Sequence, residues 1–155
     1  MKKAFTMIEL IFVIVVIGIL AMIAIPKLAA TRDDAKIAEM IANTRTVLGD
    51  MSAYYTSQGS TNWTDVNGTV EAVTNVGLLD ASCLLIDANA SKISPNTFYL
   101  CDADQICLSF ETTGEGTLEI SPASGTSNVC SGAKNNPTIQ NIMKVHKFGG
   151  ALAQR

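Results

Sequence analysis

A single acidic side chain, Glu9, stands at the start of an otherwise apolar stretch. Leu10 to Ile25 contain no charged or strongly polar side chain. An ionised carboxylate in the core of a bilayer costs about 2.5–3.5 kcal/mol even on lenient insertion scales, so such a residue is rarely kept without a function. The chemistry that this placement favours is the pairing of Glu9 with a cation. Within a single chain we expect Glu9 to be unsatisfied.

Four cysteines form the second group with defined chemistry. All lie between positions 83 and 130, which favours two disulfides formed in an oxidising compartment. Zinc binding is disfavoured because the chain has no Cys-x-x-Cys pair and its single histidine, His146, lies apart. Four cysteines allow three connectivities, and spacing alone does not choose among Cys83, Cys101, Cys107 and Cys130.

Two segments have the pattern of an asparagine modification site, and we take Asn67 and Asn89 as candidate N-glycosylation sites. Each segment is an Asn-x-Ser/Thr sequon with an acid two residues before the asparagine, as in Asp65-Val66-Asn67-Gly68-Thr69 and Asp87-Ala88-Asn89-Ala90-Ser91. The pattern resembles the extended acceptor sequence of bacterial oligosaccharyltransferases. The alternative is that Asn-rich loops produce sequons by chance. The sequon at Asn62 lacks the acid.

No residue set predicts catalysis. Asp102 and Asp104 lack the remaining ligands of a calcium loop, and His146 has no identifiable acid partner. We therefore expect no enzymatic activity, no cofactor and no metal. A basic patch of Lys144, His146 and Lys147 could contact DNA or a neighbouring subunit, although a solvated tail is favoured. With a net charge of −3, nucleic acid is not a favoured partner.

The apolar stretch continues into an amphipathic pattern, which predicts one helix from about Thr6 to Ser57. Its second half has apolar residues at three-to-four spacing, and Gly59 is a natural stop. Gly18 and Pro26 are candidate helix breaks, because glycine weakens a helix and proline removes an N–H. Two interpretations of these breaks stay open: the intervening segment unwinds in an assembly, or the helix simply kinks at a membrane surface.

The clearest strands form a predicted hairpin. Thr97–Cys101 and Ile106–Glu111 alternate in polarity, and Thr117–Ser121 adds a third strand. The hairpin register places Phe98 opposite Phe110, and it places Cys101 opposite Cys107, which would leave Cys83 to bond Cys130. A long helix covered by a small antiparallel sheet is an α+β fold.

The N-terminus admits three interpretations: a signal peptide, a plain transmembrane anchor, or an assembly signal. Residues 5–25 would span about 31 Å as a helix, enough to cross a bilayer. The anchor interpretation leaves Glu9 without a role. Met1-Lys2-Lys3-Ala4 followed by Phe5-Thr6-Met7-Ile8-Glu9-Leu10, with Gly18 and Pro26 beyond, closely resembles the class III signal of type IV pilins and pseudopilins.

The resemblance implies that a prepilin peptidase cuts between Ala4 and Phe5 and that the new amine of Phe5 is methylated. Ala4 replaces the usual glycine of the family. The implied organisation is a leader (1–4), a transmembrane and filament-core helix (5–26), and a pilin-like periplasmic or extracellular domain (27–155). Glu9 would then meet the Phe5 amine of a neighbouring subunit during assembly. The resemblance also favours the alternative disulfide pairing, Cys83–Cys101 with Cys107–Cys130, which tethers a C-terminal loop.

The function implied is that of a structural subunit of a type IV pilus-like filament, or fimbrium. Its partners would be copies of itself or other pilins, the prepilin peptidase, an inner-membrane assembly platform and, before assembly, lipid. The protein would cross the bacterial inner membrane once with its N-terminus in the cytoplasm, and would later lie in a periplasmic or cell-surface filament. The alternatives are a pseudopilin of type II secretion and, more distantly, a periplasmic binding or enzymatic module on a simple anchor.

Overall fold

The computed structural model describes residues 5–64, 68–87 and 91–149. Helix α1 (Met7–Thr64) is followed by α2 (Val70–Val73), strands β1 (Asn96–Asp102), β2 (Gln105–Thr113) and β3 (Thr117–Pro122), helices α3 (Asn128–Asn135) and α4 (Pro137–Ile142), and strand β4 (Val145–Lys147). The predicted α+β fold is confirmed. The chain divides into two compact units, Met1–Ala35 and Lys36–Arg155, and α1 contributes to both.

The regular helical geometry of α1 is interrupted at Gly59, the stop that the sequence predicts. Gly59 has φ +75° and ψ 179°, and it is the one position inside Met7–Thr64 with non-helical geometry. A single further turn follows it up to Thr64. The helix is continuous at Gly18 and at Pro26, so neither candidate break interrupts it in this structure. Opening of that segment in an assembly stays a prediction.

The second half of α1 contributes one stripe to a hydrophobic core in the unit Lys36–Arg155. Its buried residues recur every three or four positions: Met40, Thr44, Val47 and Met51. A stripe with this spacing lies along one face of a helix, which explains why these residues share a core with the strands. The core members from the sheet and the later helices are Phe98, Leu100, Cys107, Leu108, Phe110, Leu118, Ile120, Val129, Cys130, Ala133 and Ile139.

The sheet has four antiparallel strands in the order β1-β2-β3-β4. Phe98 pairs with Phe110 and Leu100 with Leu108, as predicted, and all four side chains are buried. The alternation of strand residues therefore turns one face of the sheet inward. The isolated bridge between Leu79 and Tyr99 lies on the outer side of β1.

Trp63 closes the core beside the end of α1. Its side chain is fully buried, and its indole Nε1 donates a 2.8 Å hydrogen bond to the carbonyl oxygen of Thr113. The rings of Tyr55 and Phe148 pack around it, with centroids 5.6 and 5.9 Å away. Phe148 belongs to the segment after β4, so the aromatic cluster joins α1 to the C-terminal part of the described chain.

Candidate functional site

The first candidate site is the start of α1, where Thr6 and Glu9 form a reciprocal pair. The Thr6 amide N–H and Oγ1 donate to Glu9 Oε2 over 3.4 and 3.3 Å, and the Glu9 amide donates to Thr6 Oγ1 over 3.3 Å. This arrangement is a capping box, in which a threonine and a glutamate three residues later satisfy the free N–H groups of a helix end.

The expectation that Glu9 is unsatisfied in a lone subunit is therefore wrong. Its carboxylate accepts hydrogen bonds from Thr6, which stabilise the start of the helix. Both donors are neutral, so the cation that a desolvated carboxylate needs is still missing from this pair. Thr6 was missed as a site residue, although the Thr-x-x-Glu spacing before an apolar run is a visible signal for it.

The side chains of α1 that follow Glu9 form an apolar surface without cover. We call residues 5–28 the apolar segment, and its large apolar side chains are between 37% and 83% exposed. The helix is long and apolar enough to cross a membrane by length and composition. Each such side chain gains roughly 1.5–3 kcal/mol when it is fully buried, so the segment requires lipid or protein around it.

Gly18 and Pro26 lie inside the apolar segment and remain candidate weak points. Apart from its chain neighbours and the backbone of its own helix, nothing lies within 4 Å of the place that a Cβ on Gly18 would occupy, so another backbone could approach closely there. Pro26 has no N–H to donate to the carbonyl of Met22. These two features would lower the cost of opening the intervening turns when neighbours pack against them.

The cysteines form two disulfides with the pairing that the family resemblance favours. Cys83 bonds Cys101 and Cys107 bonds Cys130, with Cα–Cα distances of 5.9 and 4.7 Å. The expected cross-strand bond between Cys101 and Cys107 is wrong, because the ladder shifts register after Leu100 and Cys101 lies opposite Ile106. The predicted bond between Cys83 and Cys130, which depended on that cross-strand bond, is wrong as well. All four cysteines are structural here.

Several predicted site residues lie outside the described residues: Ala4 at the cleavage position and the candidate glycosylation sites Asn67 and Asn89. The described residues that follow the two sequon asparagines lie together. The Val70 amide donates to the carbonyl of Ser91 over 3.0 Å, and the Ile93 amide donates to that of Gly68 over 2.8 Å. The two sequon-bearing segments therefore run side by side where they leave the described part of the chain.

The third sequon, at Asn62, is fully described. Trp63 at its middle position is buried, and the Asn62 side-chain amide donates to Gln58 Oε1 over 3.1 Å within the last turn of α1. N-glycosylation acceptors lie in accessible surface loops, whereas Asn62 lies in a helical turn. Asn62 therefore does not suit modification.

The unit Lys36–Arg155 has a shallow groove of about 300 Å³ beside an ion pair. Lys36 Nζ lies 2.6 Å from Asp102 Oδ1, and Asp102 is mostly buried. The groove is bordered by Glu39, Asn43 and Leu79, among other residues. The described residues of the chain contain no group of three or more metal-ligating side chains, and Asp104 is exposed at the hairpin tip.

His146 is engaged locally. Its Nε2 lies 2.8 Å from the carbonyl oxygen of Ile142. Lys144 and Lys147 on either side are exposed. The basic patch predicted from the sequence therefore consists of two exposed lysines on either side of a histidine whose ring contacts the carbonyl oxygen of Ile142.

Comparison with known proteins identified no relative of this chain. No protein-family model, no curated protein and no solved structure matches the chain.

Proposed function

We propose that this chain is a structural subunit of a type IV pilus-like filament, which assembles by packing its N-terminal helices after leader cleavage and N-methylation of Phe5. The observation that carries the proposal is the apolar segment, which begins with Phe5, has its one acid, Glu9, four residues later, and continues as the uncovered first part of helix α1. The fold of the chain is consistent with a pilin-like subunit.

The position of Glu9 supports assembly better than anchoring. Lipid tails are about as apolar as leucine, so an apolar helix gains little by exchanging lipid for protein. Packing and polar contacts must then direct the association. A cut before Phe5 creates a cationic amine, and its attraction to a neighbour's carboxylate is strong where both groups leave water together. The pair would set the axial position of each incoming subunit.

The architecture of the unit Lys36–Arg155 supports exposure outside the cytoplasm. Two disulfides close segments of 18 and 23 residues, and such bonds persist in oxidising compartments. Lys2 and Lys3 would keep the N-terminus in the cytoplasm before cleavage, because positive charge stays inside. We therefore place the subunit first in the bacterial inner membrane and then in a periplasmic or surface filament.

A pseudopilin of type II secretion is the second candidate, since the same helix and the same signal serve both. The disulfides and the candidate glycan sites favour a surface pilus, because exposed filaments benefit from covalent bracing. A binding or enzymatic module on a simple anchor would use the apolar segment and the Thr6–Glu9 cap, but it would have no need for the negative charge of Glu9.

The test is to isolate the protein from a host that has a prepilin peptidase and an assembly platform. The expected product begins at N-methylated Phe5 by mass spectrometry, sediments as filaments and loses assembly in Glu9→Ala. A chain that still begins at Met1 and stays monomeric in the membrane would contradict the proposal. Sheared surface filaments would indicate a pilus, whereas filaments confined to the periplasm would favour the pseudopilin.

The same mass spectrum tests the sequons. Glycosylation in a host with an oligosaccharyltransferase would add mass that disappears in the double variant Asn67→Gln, Asn89→Gln. A mass equal to the bare chain from Phe5 would remove the glycosylation hypothesis and leave the filament proposal untouched.

A further inference from the structure

Outside the apolar segment, the large apolar side chains that are strongly exposed in the described part of the chain fall in two places. Leu84 and Leu85 are 65% and 74% exposed, and Val145 is 50% exposed. We call residues 80–87 the leucine tip and residues 144–147 the β4 edge. The adjacent Leu84 and Leu85 form a contiguous exposed apolar patch, which is typical of an interaction site, whereas the single Val145 gains meaning only from the charges beside it.

The leucine tip is held in a fixed conformation. Asp80 Oδ1 accepts hydrogen bonds from the amides of Ser82 and Leu84 over 2.8 and 3.0 Å, and the Asp80 amide donates to the Leu84 carbonyl over 2.9 Å. The disulfide from Cys83 ties the tip to β1. Exposure of the two leucines is therefore built into the fold, and docking them would need little ordering of the chain.

The leucine tip and the β4 edge lie at opposite ends of the same sheet. Leu79 bridges Tyr99 on the outer side of β1 and also bridges Leu85, so the tip extends the sheet beyond β1. At the other end, β4 pairs with β3 through Glu119–Val145 and has no strand on its other side within the described residues. One chain cannot bring the two together.

The two places have opposite charges. The leucine tip includes Asp80 and Asp87, and Asp87 is exposed. The β4 edge includes Lys144 and Lys147, both exposed, on either side of His146. Each place therefore presents aliphatic side chains beside charges that complement those of the other, which is the arrangement that directs one surface to a specific partner.

We infer that the leucine tip of one copy docks on the β4 edge of a second copy. The inference rests on the proposed function, and it assigns the side-by-side contact between the folded units of neighbouring subunits. A contact between two different surfaces is heterologous, so it repeats without closing when the rotation does not return to the start. An open filament requires this type of contact.

The contact is expected to be weak by itself. Three aliphatic side chains and a few charge pairs make a patch far smaller than the roughly 800 Å² per partner of a standard interface. Packing of the N-terminal helices would hold neighbouring units close, and the resulting effective concentration makes a weak contact sufficient. It would therefore order the folded units within the filament without forming dimers in solution.

The experiment is zero-length carbodiimide cross-linking of wild-type filaments grown from an equal mixture of isotopically labelled and unlabelled chains. We expect peptides in which Asp80 or Asp87 of one chain is joined to Lys144 or Lys147 of the other, identified by their mixed labels. Lys92, also exposed, serves as the control amine. Filaments that give no mixed-label product between tip and edge would overturn the contact.

Charge reversal provides a second measurement. The double variant Lys144→Glu, Lys147→Glu should lower the pelleted filament fraction by roughly threefold to tenfold, since each exposed pair contributes at most about 1 kcal/mol. Adding Asp87→Lys should restore part of the loss, and Lys92→Glu should leave the fraction unchanged. A loss that Asp87→Lys does not reduce would argue against the contact. If the wild-type chain forms no filament at all, the proposed function fails and the contact fails with it.

Discussion

Cys101 lies opposite Ile106 in the β1–β2 ladder, because the register shifts by one residue between Leu100 and Cys101. An extra residue in one strand leaves the pairs before it intact and changes the partner of each residue after it. Cys101 bonds Cys83 in the loop before β1, and Cys107 bonds Cys130 in α3. The register shift therefore separates Cys101 from Cys107, and each of these two cysteines bonds a cysteine outside the hairpin.

The first prediction concerns this connectivity. Digestion of the denatured, unreduced chain with a protease that cuts before aspartate separates Cys101 from Cys107, because Asp102 and Asp104 lie between them. We expect the peptide 80–86 with Cys83 linked to the peptide 87–101 with Cys101, and a separate peptide from Asp104 onward that contains Cys107–Cys130 as an internal bond. A peptide pair joining the cut products of Cys101 and Cys107 would contradict the structure.

Removal of either disulfide should destabilise the fold. Closure of segments of 18 and 23 residues contributes roughly 3 kcal/mol each in the chain-entropy model. The double variant Cys107→Ser, Cys130→Ser should lose more stability than Cys83→Ser, Cys101→Ser, because Cys107 and Cys130 are also completely buried in the core. Urea unfolding of the detergent-solubilised chain, followed by circular dichroism, measures both.

Much of the fold follows from periodicity. The alternation of Phe98, Leu100, Leu108 and Phe110 predicts the hairpin register, and Gly59 predicts the end of the regular helix. The shift after Leu100 could not be predicted, because nothing in residues 100–107 marks an extra residue. Ala103, in the turn that follows, has an unusual φ of +56°.

Helix α3 was not predicted from the sequence. Its apolar residues are few, and the local signal is confined to its cap, where Ser127 Oγ accepts a hydrogen bond from the Cys130 amide over 3.1 Å. Gly132 within it sits against Ile37 of α1, which a side chain at that position would displace. Its packing against α1 and its disulfide at Cys130 are tertiary features, and neither is visible in a single sequence.

Only part of the candidate functional surfaces could be predicted from the sequence. Glu9 and the apolar segment are evident from residue types alone, because charge and hydrophobicity need no structure to be read. The leucine tip and the β4 edge become related only when the strand order places them at opposite ends of one sheet.

The third prediction concerns Gly116. Its φ is +72°, and a Cβ there would lie 2.2 Å from the ring of Tyr55. Gly116→Ala should lower the free energy of unfolding by roughly 2–3 kcal/mol, because it combines backbone strain with displacement of a packed ring. The matched control is Gly114→Ala, whose Cβ would meet only Thr64 Cγ2 at 3.5 Å. Equal stabilities for the two variants in urea unfolding would refute this packing.

The fourth prediction concerns Trp63, the single tryptophan of the chain. Trp63→Ala should cost roughly 3–5 kcal/mol of stability, as is typical of a fully buried ring. Trp63→Phe should cost less, roughly 1–2 kcal/mol, since the carbonyl of Thr113 still accepts from the Gly116 amide over 3.2 Å. Circular dichroism during urea unfolding measures both variants. A Phe variant as unstable as the Ala variant would point to a larger role for the indole N–H.

The last prediction separates the two roles that Glu9 can have. A capping box accepts glutamine in place of glutamate, because the amide oxygen still receives the hydrogen bonds from Thr6. A charge pair with a neighbour's amine does not accept it, because the attraction requires the negative charge. Glu9→Gln therefore keeps the cap and removes the pair.

If Glu9 acts through its charge, Glu9→Gln should lose filament assembly to the same extent as Glu9→Ala. Both variants should still insert in the membrane and be cut before Phe5. Thr6→Ala provides the converse variant, since it removes the cap at a cost of about 1 kcal/mol in helix stability and leaves the carboxylate in place. We expect Thr6→Ala to form filaments with reduced yield. Normal filaments from Glu9→Gln would mean that Glu9 serves the helix start alone, and the axial position of each subunit would then have to be set by apolar packing.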